Sequence, residues 1–217
     1  MGEAFLLAVG RAAGMEPTGN LGCVAPDRST LRPPMATPRR IFGIYHYLGA
    51  HAEEIREFMQ AVGTKSSTVD HLIAKDRVKL LSRFSEELIE LCDVLDGTHK
   101  DPYIMEASQT WYWASLYAVA CGAGWDDIGW KEAPLLAVQS GIASVADLRT
   151  TAERLPGLGP DQVRPTKLFV LWACADRLYR QITLADKVWT VEQIMEADLS
   201  EMRKRPYLAP VLRAVVD

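Results

Sequence analysis

This 217-residue sequence predicts an all-α fold, an antiparallel helical bundle with additional C-terminal helices, and three observations carry that expectation. From Ile41 onward, apolar residues recur at helical spacing in one segment after another. No alternation of apolar and polar residues runs long enough to make a strand. Between the periodic segments lies helix punctuation: Gly63, Gly97 and Gly141 after helix ends, Pro102 at a start, and the turn Leu155-Pro156-Gly157-Leu158-Gly159-Pro160.

In chain order, residues 1–37 are rich in Pro, Gly, Thr and Arg and read as a disordered tail with one short helix near its start. A second reading starts the protein at Met35. The first helix spans about 38–62, with Ile41, Ile44, Tyr45, Leu48, Ile55 and Phe58 on its apolar face. Ser67-Thr68-Val69-Asp70 resembles a capping box ahead of a long helix ending near Leu95. The core stripe of that helix is Ile73, Val78, Leu81, Phe84, Leu88, Leu91 and Leu95. A third helix, 102–121, carries Trp111, Tyr112, Trp113 and Tyr117, and a fourth follows Asp126-Asp127 to about Gln139. Residues 38–140 therefore read as the bundle, and 141–217 as a helical extension packed on it. The extension holds helices near 145–154, 161–184, 190–203 and 206–215.

Composition narrows the function. A net charge of −4 disfavours a general nucleic-acid binder, and 48% apolar residues suffice for a substantial core. No apolar run approaches the roughly 18 residues of a membrane span. Cys23, Cys92, Cys121 and Cys174 show no CxxC spacing, which fits a reducing cytoplasm. His46, His51, His71 and His99 lack metal-ligand spacing and read as surface or partner-bonded residues.

Two pairs of side chains carry the chemistry. Glu87 and Glu90 lie three apart on the second helix, and Glu106 and Gln109 lie three apart on the third, so each pair shares a helix face. The short turn between them, with Gly97, Asp101 and Pro102, makes the helices antiparallel neighbours. At about 1.5 Å rise per residue, Glu90 and Glu87 stand roughly 9 and 14 Å from the turn, and Glu106 and Gln109 roughly 6 and 11 Å. The heights match, so four oxygen-bearing side chains converge in a cage suited to a hard divalent cation. The competing reading is a solvated acidic face, because Glu is a good helix former.

Glu86-Glu87-Leu88-Ile89-Glu90, then Glu106-Ala107-Ser108-Gln109 and Cys121-Gly122-Ala123-Gly124-Trp125-Asp126-Asp127, resembles the MazG-like all-α nucleoside triphosphate pyrophosphohydrolases over about 70–140. That family pairs ExxE on one helix with ExxD on the next. The resemblance implies Mg²⁺, with Mn²⁺ as the alternative, held by Glu87, Glu90, Glu106 and Gln109, the last standing where the family has aspartate. It also implies cleavage of a nucleotide substrate to monophosphate and pyrophosphate, in a cytoplasmic protein that is a homodimer or larger. Glu86, Glu87 and Glu90 are the candidate catalytic residues, one of them accepting the proton of the attacking water. Lys79, Arg83 and Lys131 are candidate phosphate contacts, and Trp113 is a candidate stacking face for the base. Asp93 is a candidate to replace the charge missing at Gln109.

Two other functions fit parts of the sequence. A member lacking the fourth carboxylate serves as a nucleotide-binding or interaction scaffold. The turn at 155–163 resembles a helix-hairpin-helix element, which points to a DNA-associated helical protein, although a plain interhelical turn is the favoured account of it.

Overall fold

The structure, a computed structural model, describes residues 36–215. Nearly all of the tail predicted over 1–37 therefore lies outside the described residues, as does Met35. Among the described residues there are helices and no strands, in agreement with the all-α expectation. The α-helices are α1 (Pro38–Ala50), α2 (Ala52–Ala61), α3 (Ser67–Ala74), α4 (Arg77–Leu95), α5 (Tyr103–Ala120), α6 (Ala133–Gln139), α7 (Val145–Arg154), α8 (Pro165–Ile182), α9 (Val191–Arg203) and α10 (Ala209–Ala214). Short 3₁₀ turns punctuate the second half.

Helix α5 is the axis. Its sequence is apolar nearly all round, the pattern of a helix enclosed by others. It packs against α4, α9, α8, α1 and α3, so the predicted extension and the predicted bundle share one core. Trp111, Ala114, Leu116 and Tyr117 of α5 are fully buried within it. The aromatic cluster on this helix therefore packs inside one chain.

The first two predicted helices are each divided. Between α1 and α2, His51 leaves helical geometry at φ −118°, ψ 19°. Two residues earlier, Gly49 lets α1 lie against α5 where a Cβ would collide with Val119. Between α3 and α4, Lys75 takes the left-handed conformation (φ 49°), and Asp76 caps α4 by accepting from the Lys79 backbone N–H at 3.0 Å. The cap of α3 is Ser66, one residue before the predicted Ser67. The predicted stripe fails at Val78, which is 59% exposed because it lies off the buried face of α4; that face is carried by Leu80, Leu81, Phe84, Leu88 and Leu91.

Side chains tie the later helices to the earlier ones. Ser85 of α4 donates to the Ala152 carbonyl of α7 at 2.7 Å, and Trp172 of α8 donates to the Ala107 carbonyl of α5 at 2.8 Å. Tyr45 of α1 reaches Asp198 of α9 at 2.6 Å. Tyr117 donates to the carbonyls of Pro160 and Val163, at 2.9 and 2.8 Å, pinning the 155–163 turn onto α5. Two 3₁₀ turns, Leu155–Gly157 and Pro160–Gln162, lie within that loop, and Pro165 opens α8 at its first turn. No described helix is long and apolar enough to cross a membrane.

Candidate metal centre and adjoining cavity

Helices α4 and α5 run side by side in opposite directions, joined by the turn 96–102. Gly97 takes φ 72°, and the backbone N–H groups of Thr98 and His99 both return to the Asp93 carbonyl, at 2.8 and 3.2 Å. This tight return sets Glu90 of α4 opposite Glu106 of α5 and brings His99 of the turn to the same point. The ligand atoms of Glu90, His99 and Glu106 all lie within 4.8 Å of one another, close enough to share one metal ion. Glu90 is exposed, His99 half-buried and Glu106 buried, so the group opens to solvent on one side.

Burial makes this place unusual. Among the described residues the buried carboxylates are Glu87, Glu106 and Asp198, and two of these three stand where the helix pairs converge. Oε2 of Glu87 and Oε2 of Glu106 have no hydrogen-bond partner among the described residues. An orphaned buried carboxylate oxygen is costly, and a cation would satisfy it. Burial pushes the Glu106 carboxyl up to about 7, Glu87 and Glu90 adding to the rise and His99 opposing it. Burial also raises Glu87, with Arg83 opposing most strongly and Glu90 adding. Two acidic groups that resist ionisation in the absence of a cation are what a dication site of this charge entails.

The other predicted site residues divide. Gln109 donates from Nε2 to Glu106 Oε1 at 3.5 Å, so its amide touches a candidate ligand. Arg83 donates from Nη2 to Glu87 at 2.7 Å, pairs also with Glu86, and lies over the Trp113 ring at 5.0 Å. Trp113 Nε1 donates to Glu87 Oε1 at 3.1 Å. Glu86 is exposed and turned toward Ser82 and Arg83. Asp93 binds Arg149 of α7 at 2.6 Å, which makes it part of a helix–helix tie.

Beside Glu87 opens a cavity of about 670 Å³. Glu87, Gln109, Lys79, Arg83 and Trp113 line it, together with His71 and Tyr112. Its far wall comes from α9 and the segment after it, through Asp198, Glu201, Arg205 and Tyr207. A volume of several hundred Å³, with aromatic walls and a few charged groups, is typical of small-molecule sites. Lys131 is exposed between Ile128 and α6 and is absent from this lining.

Four functional candidates escaped the sequence reading. His99 lies in a turn, so a search for helical ligand spacing passes over it. The available signal was a histidine inside the turn that joins two carboxylate-bearing helices. His71 packs edge-on to Trp113 with centroids 5.2 Å apart. Burial, then the nearby Lys79, lowers its basicity. Asp198 and Arg205 come from the C-terminal third, and only tertiary packing delivers them to the cavity. The chain matches no protein-family model, no curated protein and no solved structure.

Proposed function

We propose that the protein hydrolyses a nucleoside triphosphate, or a related pyrophosphate compound, to monophosphate and pyrophosphate with the help of a divalent cation. One observation carries the reading: Glu87, a buried carboxylate with an orphaned oxygen, lines a nucleotide-sized cavity that also presents Lys79, Arg83 and Trp113, and a second such carboxylate, Glu106, contacts Gln109 of the cavity wall. Glu90 and Glu106 hold the cation, with Mg²⁺ or Mn²⁺ as its identity, and Gln109 supports Glu106. When bound, the cation neutralises the triphosphate and polarises the α-phosphorus. Lys79 meets the phosphates from the cavity wall, and Trp113 presents an apolar face to the sugar or base. Water attacks the α-phosphorus as the bond to the bridging oxygen breaks, and pyrophosphate leaves. Glu87 takes the proton of that water, because its raised basicity and free Oε2 suit a general base.

A second reading, binding without turnover, draws on Arg83, which already neutralises Glu87. Both readings meet one experiment. Purified protein is incubated with the common ribo- and deoxyribonucleoside triphosphates and Mg²⁺ or Mn²⁺, and products are followed by ³¹P NMR. The hydrolase reading predicts monophosphate and pyrophosphate in equal amounts, with kcat lowered at least about 100-fold by Glu87→Gln. Nucleotide binding with no product from any triphosphate establishes the second reading and ends the first.

A further inference from the structure

Resting on the reading that Glu90 and Glu106 hold a cation, we propose that His99 is its third protein ligand. This nitrogen donor makes the centre a transition-metal site of the Mn²⁺ type in preference to a Mg²⁺ site. The first support is geometric: a ring nitrogen of His99 lies within 4.8 Å of carboxylate oxygens of both Glu90 and Glu106. Two carboxylates and one imidazole converging at that separation form three corners of a coordination shell, and solvent or substrate oxygen completes it from the open side.

The second support is independent of that clustering. Glu106 is 1% exposed, and its Oε2 has no hydrogen-bond partner. Gln109, the neighbour that could have relieved it, makes only a 3.5 Å contact with the other oxygen, Oε1. The described residues therefore hold a buried acceptor at this point and supply no donor for it.

The turn also fixes the imidazole. Its backbone N–H is tied to the Asp93 carbonyl, and its Nδ1 accepts from the Asp101 backbone N–H at 3.2 Å. The Asp101 carboxylate lies 3.9 Å from the same nitrogen. A neutral ring in this state carries its proton on Nε2. Loading a metal on Nε2 requires the proton on Nδ1 instead, so the ring gives up the Asp101 backbone N–H and turns its Nδ1–H toward the Asp101 carboxylate, 3.9 Å away. A carboxylate behind the histidine is the usual means of orienting a metal-bound imidazole.

The choice of metal follows from ligand chemistry. Mg²⁺ takes oxygen ligands almost exclusively and retains much of its water, whereas imidazole suits first-row transition ions. The nitrogen ligand compensates for the neutral Gln109: it restores a donor to the cage while removing the preference for a purely hard cation.

The test uses the full-length, nucleotide-free protein with Mn²⁺ as the probe, so that its outcome is separate from turnover. Calorimetry is expected to show Mn²⁺ binding at least tenfold more tightly than Mg²⁺. Pulsed electron paramagnetic resonance of the Mn²⁺ complex is expected to show nitrogen modulation from one imidazole. His99→Ala or His99→Gln removes that modulation, His46→Ala keeps it, and Asp101→Asn weakens Mn²⁺ binding about tenfold. Mn²⁺ bound without nitrogen modulation, no Mn²⁺ bound, or Mg²⁺ bound equally well overturns the proposal; the wild-type spectrum alone decides the ligation even if the variants misfold. Nitrogen ligation without triphosphate hydrolysis leaves this centre standing and removes the hydrolase reading. Hydrolysis supported by Mg²⁺ with no nitrogen signal does the reverse.

Discussion

Gln109 and His99 together set the character of the centre at the scale of single residues. The amide touches Glu106 without satisfying it, and the imidazole enters from a turn. Replacing Gln109 by aspartate adds a negative charge beside a cation, which at close range is worth more than a kilocalorie per mole even in a well-screened site. Gln109→Asp is therefore expected to tighten Mn²⁺ binding at least about tenfold, measured by calorimetry. In the metal-free protein the same change should raise the Glu106 carboxyl further above its present value of about 7. Unchanged metal affinity in Gln109→Asp would show that this side chain stands outside the cage. The carboxylate pairs were legible in the sequence because their spacing follows helical geometry. His99 was not, since no periodicity governs a turn residue. The role of Asp93 was likewise invisible, because its partner, Arg149, is set by which helices meet, whereas the Arg83–Glu86 pair follows i,i+3 spacing within one helix.

At the scale of elements, periodicity found the helices and missed their interruptions. The stripe from Ile41 to Phe58 runs on across the His51 break, since both α1 and α2 turn apolar faces to one core. Val78 ends up in solvent because it stands roughly 100° or more around α4 from the centre of the face that Leu80, Phe84, Leu88 and Leu91 bury. Gly49 shows how a tertiary contact governs an element: there is no space for a Cβ between α1 and Val119 of α5. Gly49→Ala is expected to destabilise the protein by about 1–3 kcal/mol through overpacking, read by denaturant unfolding. Adding Val119→Ala should recover part of that loss, because the two sites are in contact and their effects are coupled. Strict additivity of the two substitutions would place the strain elsewhere.

For the whole molecule, the C-terminal helices complete the site. Asp198 of α9 meets Tyr45 of α1, and both line the cavity that reaches Glu87. Burial raises Asp198 from its ordinary 3.8 to about 7, against the opposing Tyr45 hydrogen bond and Arg205 charge. A carboxyl with a raised folded-state pKa favours folding while protonated. Its contribution is full below about 4 and is lost as pH rises through about 7. Glu106 and Glu87 act with the same sign in the metal-free protein. With metal chelated, unfolding free energy is therefore expected to fall between about pH 4 and 7 by on the order of a few kcal/mol, and Asp198→Asn should flatten part of that slope. A metal-free protein that grows more stable over this range would contradict the assignment. The account as a whole requires a cation at the α4–α5 turn and a nucleotide in the neighbouring cavity at the same time. Its most direct test is a crystal structure with Mn²⁺ and a nucleoside triphosphate whose α,β-bridging oxygen is replaced by methylene. The account predicts an anomalous Mn²⁺ peak bounded by Glu90, His99 and Glu106, with the α-phosphate facing Glu87 and the sugar and base against Trp113. Mn²⁺ bound away from these three residues, or a cavity that stays free of nucleotide at saturating ligand, would contradict it.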